Sequence, residues 1–129
     1  MRYDRAYLRE RLNERICQPA RAAELDAELW KQLGGTQAIL VSDMSGFTRL
    51  TKKRGILHFL ALHYQGVDLT TPIIERHRGR LLKTQADNMI SAFPDPADAV
   101  RCAAATMAAL RAHNDALADP DAHVLFCIG

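Results

Sequence analysis

Apolar residues along the chain follow two different periods, and the changes between them predict the order of its elements. In residues 4 to 33, leucines recur about every four positions among Arg and Glu, which indicates two short helices separated by Pro19. Gly34-Gly35 ends the second helix and is the natural boundary. We therefore expect an N-terminal helical segment at 1–35 and a separate domain at 36–129.

The domain from residue 36 alternates between strand-like and helix-like patterns. Strands are expected at 36–43, 81–85, 89–93 and 123–128, and helices at 47–53, 56–78 and 97–118. Pro72 is expected to kink or split the second of these helices near Leu69. The buried face of the third is expected to carry Val100, Ala104, Met107 and Leu110. The order predicts an α+β fold of the ferredoxin-like, split βαβ type, with helices on one face of the sheet.

Two aspartates stand at the ends of strand-like runs. Asp43 follows an apolar run and precedes a turn of small residues, and Asp87 lies where one short strand gives way to the next. A hairpin turn is expected at Asp87-Asn88. If the strands are neighbours, the two carboxylates converge and form the oxygen-rich ligand set that Mg²⁺ prefers beside phosphate. The alternative is that each aspartate only caps a turn.

Composition excludes several classes of protein. The 129 residues are 48% hydrophobic and 25% charged, which is typical of one globular domain. A net charge of +2 is too slight and too scattered for a nucleic-acid surface. No apolar run is long enough to form a membrane segment, and the charged start is no secretory signal, so a cytoplasmic location is expected. The three cysteines have no metal-ligand spacing and are interpreted as free thiols.

Three blocks of sequence resemble the catalytic domain of class III adenylate/guanylate cyclases. Residues 43–48, Asp-Met-Ser-Gly-Phe-Thr, are similar to that family's Asp-x-x-Gly-Phe-Thr signature. Residues 79–87 are similar to its Gly-x-x-x-Lys-Thr-x-Gly-Asp motif, and 93–99 to the loop and helix start that follow. The blocks occur in family order and cover the chain from about Ala38 onwards. The related diguanylate cyclases are disfavoured because their Gly-Gly-Asp/Glu-Glu-Phe block is absent from the sequence.

The resemblance implies a lyase that converts a nucleoside triphosphate into the 3′,5′-cyclic nucleotide and pyrophosphate for intracellular signalling. Two Mg²⁺ (or Mn²⁺) ions are the implied cofactors, held by Asp43, Asp87 and the backbone carbonyl of Met44. The implied substrate-binding residues of the first motif are Ser45, Gly46, Phe47 and Thr48, where backbone N–H groups at a helix start can approach phosphate.

The resemblance also suggests which nucleobase the substrate carries and which oligomeric state the protein adopts. Lys83 matches the lysine that hydrogen-bonds adenine in adenylyl-specific members, so the expected substrate is ATP and the product cAMP; a solvated strand lysine is the alternative. Members of the family work as dimers with shared active sites, so a homodimer is expected. Helices that precede the family's catalytic domain often serve dimerisation or signal relay. Those of residues 4 to 33 either do the same or pack on their own domain.

Two departures from the family pattern leave alternatives open. Ala86 replaces the glycine before the second aspartate, so Asn88 is expected to take the positive φ of the hairpin. The chain ends at Gly129, before the family's remaining base-specifying residue and its transition-state Asn and Arg. A C-terminally truncated domain with little or no activity of its own is therefore expected. The alternatives are a non-catalytic, cyclase-like nucleotide-binding or regulatory module, and a cyclase that uses GTP or a pyrimidine triphosphate.

Overall fold

Two helices lie at the start of the chain, one on each side of Pro19. The computed structural model describes residues 4–129. Helix α1 spans Arg5–Cys17 and α2 spans Ala22–Leu33, with a short 3₁₀ turn between them. A guanidinium nitrogen of Arg15 donates to a carboxylate oxygen of Asp26 at 2.9 Å and so links the two helices.

The chain divides after α2 into two compact units, one that ends at Thr36 and one that runs from Gln37 to Gly129. The second unit is built on a sheet of four strands in the order β2-β3-β1-β4, with every neighbouring pair antiparallel. The strands are β1 (Ala38–Met44), β2 (Arg80–Gln85), β3 (Asn88–Phe93) and β4 (Phe126–Ile128).

Three helices complete this second unit. Helices α3 (Phe47–Arg54) and α4 (Ile56–Arg76) connect β1 to β2, and α5 (Pro96–Asp115) connects β3 to β4. Two helical crossovers in a sheet of this strand order give the split βαβ arrangement. The prediction of a ferredoxin-like α+β fold is therefore confirmed.

One face of the sheet carries the core. Side chains alternate along a strand, so Ser42 and Met44 of β1 are buried while Val41 and Asp43 are exposed. The buried side chains of the sheet pack with those of α4 and α5 around Phe93, which has no exposed surface. Asp43 therefore lies on the open face, at the end of a strand whose other side chains anchor it.

The structure corrects the expected course of two helices. Pro72 lies inside α4 without splitting it. Helix α5 ends at Asp115, earlier than expected. It buries Ala99, Cys102, Thr106 and Leu110, whereas three of the four residues predicted for its buried face are exposed: Val100, Ala104 and Met107. Apolar and small residues lie all round this alanine-rich helix, so the sequence does not mark which of its stripes faces the sheet.

The last strand is shorter than the predicted 123–128. The Asn114 side chain donates to the carbonyl of Val124 at 2.9 Å and accepts from its N–H at 2.8 Å. Asn114 thus satisfies both backbone groups of Val124, and the ladder with β1 begins at Phe126, opposite Met44, the last residue of β1. Among the described residues, none of the helices combines the length and the hydropathy that crossing a bilayer requires.

Candidate active site

The structure brings Asp43 and Asp87 together. Asp43 is the last β1 residue paired with β3, opposite Asn88, and Asp87 directly precedes that partner. The two carboxyl groups are within hydrogen-bonding reach. This hydrogen bond raises the pKa of Asp43, as do some loss of hydration and the negative charge of Asp87, while the N–H of Met44 acts in the opposite direction. No ion pair among residues 4–129 includes either aspartate.

The turn that carries Asp87 differs from the predicted one. Gln85 pairs with Asn88, so the two-residue turn consists of Ala86 and Asp87 rather than Asp87 and Asn88. The positive φ falls on Ala86, at +52°, and Asn88 is an ordinary strand residue. A left-handed backbone costs a residue with a Cβ about 1–2 kcal/mol. The expectation that Asn88 relieves the turn was wrong, and the turn under Asp87 is strained.

The backbone of Met44 faces the same edge of the sheet as Asp87. Val41 and Gly129 exchange both backbone hydrogen bonds, and Ser45 donates to Leu125, so odd-numbered residues of β1 pair with β4. Because hydrogen-bonding direction alternates in an antiparallel ladder, the carbonyl of Met44 is directed to the β3 side, beyond the last β1–β3 pair. Two carboxylates and this carbonyl form an all-oxygen set, which fits a hard divalent cation.

Within residues 4–129, no group of three or more His, Cys, Asp or Glu side chains is arranged to hold a metal ion. The side chains at this edge therefore supply two carboxylates. The remaining ligands of a cation here would have to be backbone carbonyls, water or phosphate.

The rest of the first motif forms the start of α3. Gly46 has φ +88°, a left-handed conformation that favours glycine, and no side chain caps the helix after it. Phe47 is 46% exposed and its ring packs edge-on against Phe59 at a centroid distance of 4.8 Å. The Ser45 hydroxyl lies 3.2 Å from the thiol of Cys127. The first turn of α3 thus leaves its backbone N–H groups available to an anion near Asp43.

Lys83 lies on the open face of the sheet but not beside the carboxylates. It pairs with Ile90, which pairs in turn with Val41. Asp43 is therefore two strands across the sheet and two residues further along. The usual spacings of strands and residues then put the Cα atoms of Lys83 and Asp43 about 12 Å apart. The structure brings the two aspartates and the start of α3 together, and it does not bring Lys83 to them.

Comparison with known proteins adds to this geometry. No model of a known protein family matches the chain. A protein of Rhizobium meliloti (strain 1021) named "Putative adenylate cyclase 3" is 32% identical over 88 residues, which are 68% of this chain and 15% of that protein.

Solved structures share the fold. A bacterial light-regulated adenylyl cyclase aligns with a TM-score of 0.66 and 22% identity, over 72% of this chain and 50% of that one. The guanylyl cyclase Cya2 aligns with a TM-score of 0.59 and 22% identity, over 75% of this chain and 55% of that one. The adenylyl cyclase CyaB from P. aeruginosa aligns with a TM-score of 0.56 and 21% identity, over 72% of this chain and 53% of that one. This is the class III nucleotide cyclase fold. The resemblance carried by the three sequence blocks is confirmed, and the chain spans about half the length of these structures.

A second carboxylate centre of this cyclase-like unit was not predicted from the sequence. Asp121, 5% exposed, lies in the 3₁₀ turn before β4 and receives three cations of α3. Arg49 reaches it at 2.9 Å, Lys53 at 2.8 Å and Arg54 at 3.4 Å. Hydrogen bonds from Lys53 and then Arg49 hold the pKa of Asp121 far below its usual range. The spacing of the three cations on one short helix was the available signal, but their partner is some 70 residues away.

Proposed function

We propose that this chain belongs to a nucleotide cyclase that converts ATP into 3′,5′-cyclic AMP and pyrophosphate in the cytoplasm. The observation that carries the proposal is the meeting of Asp43 and Asp87, one from each motif block, on a cyclase fold. A carboxylate pair without a compensating cation is costly to maintain, so it indicates a function other than stability.

Asp43, Asp87 and the carbonyl of Met44 would hold two Mg²⁺ or Mn²⁺ ions. When bound, such ions activate the ribose 3′-hydroxyl and neutralise charge that develops on the leaving pyrophosphate. The chain's own contribution is positioning. The left-handed Gly46 begins α3 without a side-chain cap, so the N–H groups of Phe47 and Thr48 would be free to bind the phosphates, and the positive end of α3 would add to their attraction.

Lys83 would read the adenine ring as a hydrogen-bond donor. Its distance from the carboxylates requires the base to lie well away from the phosphates, or the lysine to serve a site completed by a second copy of the chain. The second arrangement agrees with the proposal of a homodimer, in which one subunit's metal site faces the other's base-reading lysine.

The metal assignment is tested by titrating Mn²⁺ with a non-cyclisable ATP analogue in a calorimeter. Asp43→Ala and Asp87→Ala should each abolish metal-dependent binding, because either change removes half of the carboxylate set. Asp68→Ala, an exposed aspartate of α4, is the matched control and should bind as the wild type does. Unchanged affinity in both site variants would overturn the two-metal proposal. Binding without any conversion of ATP would favour the non-catalytic nucleotide-binding module.

Base selection is tested separately. Lys83→Glu should lower the affinity for ATP relative to GTP while the affinity for Mn²⁺ alone stays the same. An unchanged ratio of the two nucleotides would show that Lys83 is a solvated strand lysine, and a wild-type preference for GTP or a pyrimidine triphosphate would revise the substrate.

A further inference from the structure

A cavity of about 260 Å³ lies at the end of the sheet away from the candidate metal site. Its wall is formed by Gln37, Arg78, Arg80, Ala92 and Pro94, and we call it the arginine cavity. Arg80 pairs with Ala92, so the cavity lies where β2 begins and β3 ends. Its lining contains two guanidinium groups and no acidic side chain.

The guanidinium of Arg80 has no partner. No hydrogen bond or ion pair among residues 4–129 includes its side chain. The side-chain amide of Gln37, an exposed residue, has none within that range either. The donors of both side chains are therefore available to a ligand that enters the cavity.

Arg78 is held at the cavity by a buried carboxylate. Its Nε and Nη2 atoms contact one oxygen of Asp98 at 2.9 and 2.6 Å, and the other oxygen accepts from Arg101 at 3.1 Å. The Nη1 donors of Arg78 stay free, and its side chain is 73% exposed. Together with Arg80, three arginines are balanced by a single carboxylate, so the cluster has two positive charges in excess.

The backbone at Arg78 indicates that this arginine is retained at a cost. Its φ is +62°, in the left-handed region, and it directly follows the C-cap of α4, where glycine commonly stands. The glycine of this turn is the next residue, Gly79, where a Cβ would lie 2.3 Å from the Phe93 ring. Strained residues are concentrated at ligand sites. The ion pair with Asp98 explains where the Arg78 guanidinium is held, but not why Arg80 adds an unbalanced charge to the same lining.

We propose that the arginine cavity binds a phosphate dianion, with Arg78 and Arg80 donating to its oxygens and the Gln37 amide as a further donor. The planar donor fork of arginine matches two oxygens of a phosphate group, and a dianion balances the two excess charges. The cavity is smaller than the sites of drug-sized ligands. The ligand is therefore inorganic phosphate or the phosphate group of a small monoester.

This site is separate from the candidate active site. Asp43 pairs with Asn88, and Ala92 lies four residues further along β3. The usual rise of a strand puts these two positions of β3 about 13 Å apart. The proposal therefore stands or falls without the proposed cyclase function.

Titration with inorganic phosphate at pH 8, at constant ionic strength and without divalent metal, tests the proposal. ¹H–¹⁵N spectra should show saturable shifts of the Nε–H signals of Arg78 and Arg80 and of the Gln37 amide. Arg80→Gln should weaken binding at least tenfold. Arg76→Gln is the matched control, because Arg76 is an exposed arginine at the end of α4 that does not line the cavity, and it should bind as the wild type does.

Three results would overturn the proposal: equal binding by Arg80→Gln and the wild type, shifts that grow without saturation, and shifts confined to residues 45–48. The last would place phosphate at the start of α3 instead. A second variant, Gln37→Glu, changes an exposed residue outside the helices and strands, so the fold should be kept. Its negative charge should abolish phosphate binding, and unchanged binding by this variant would contradict the site.

Related anions test the charge of the ligand and distinguish its sources. Dimethyl phosphate, a monoanion, should bind at least tenfold more weakly than inorganic phosphate, and equal binding would overturn the assignment of a dianion. Phenyl phosphate is a monoester dianion. Tighter binding of phenyl phosphate than of inorganic phosphate supports a monoester as the ligand, and weaker binding supports the free ion.

Discussion

Two carboxylate centres beside α3 are balanced in opposite ways. Before its start, Asp43 and Asp87 face each other without a cation among the described residues, and their interaction raises the pKa of Asp43. Along its side, Asp121 contacts three cations, and its pKa is lowered. The first centre leaves negative charge uncompensated and the second compensates it more than fully.

The difference indicates that the Asp43–Asp87 pair is a candidate binding site and that the Asp121 cluster stabilises the fold around it. Uncompensated charge costs folding energy and is useful only if something binds to it, whereas the Asp121 cluster ties α3 to the segment before β4. The backbone carbonyl of Asp121 is also bonded to the imidazole of His58 on α4, at 2.7 Å. The cluster therefore fixes the helix whose first turn lies beside the carboxylate pair. On this view, Asp121 stabilises the protein and Asp43 does not.

The largest effect is expected from Asp121→Ala. The change leaves Arg49, Lys53 and Arg54 without their shared partner and releases the segment before β4, so the melting temperature should fall by several degrees. Asp119→Asn is the control, because it removes the single ion pair with Arg54 while the amide oxygen can still accept from the N–H of Asp121, and its effect should be much smaller. Equal melting temperatures for the two variants would contradict a special role for Asp121.

The pH dependence of that effect has a defined sign. The pKa of Asp121 is lower in the folded chain than the ordinary value of about 4 in the unfolded one. Its stabilisation is therefore fully present above about pH 4 and is lost as the pH falls through the folded value. The difference in melting temperature between wild type and Asp121→Ala should be constant from pH 7 to 5 and should narrow below pH 4. A difference that widens in acid would show that the cations do not act on this carboxylate.

Ala86→Gly should stabilise the chain by about 1 kcal/mol, because glycine adopts a positive φ without the cost of a Cβ. Chemical denaturation gives the free energy of unfolding directly. The control is Ala108→Gly, at an exposed position of α5 with ordinary helical geometry, which should destabilise by a similar amount. If both changes destabilise equally, the turn under Asp87 is not strained.

The order of the elements could be predicted from the sequence because the hydrophobic period changes at each junction, and that order agreed with the fold implied by the family resemblance. No strand order was predicted, so the meeting of Asp43 and Asp87 was expected only if their strands were neighbours, which they are. The strained residue could not be predicted, since the observed turn, Ala86-Asp87, lies only one position before the expected turn, Asp87-Asn88. Asn also tolerates a positive φ better than Ala does. Asp121 was missed because the spacing of the three cations on α3 does not show which carboxylate, some 70 residues away, they contact.

The smallest expected effect is at Asp43 itself, and it has the opposite sign to that at Asp121. Asp43→Asn removes the repulsion with Asp87 and should raise the melting temperature slightly at pH 7 in the absence of metal, by less than Ala86→Gly does. A raised pKa means that the folded state holds the proton more firmly than the unfolded state does. The cost of ionisation therefore grows as the pH rises from the unfolded pKa to the folded pKa and is complete above the folded pKa, so the gain from Asn should vanish at pH 3. Excess Mn²⁺ should reverse the order, because it stabilises the wild type by binding the native state and finds no complete site in the variant. A variant less stable than the wild type at pH 7 without metal would show that Asp43 is structural, and that the two carboxylate centres of α3 serve the same purpose.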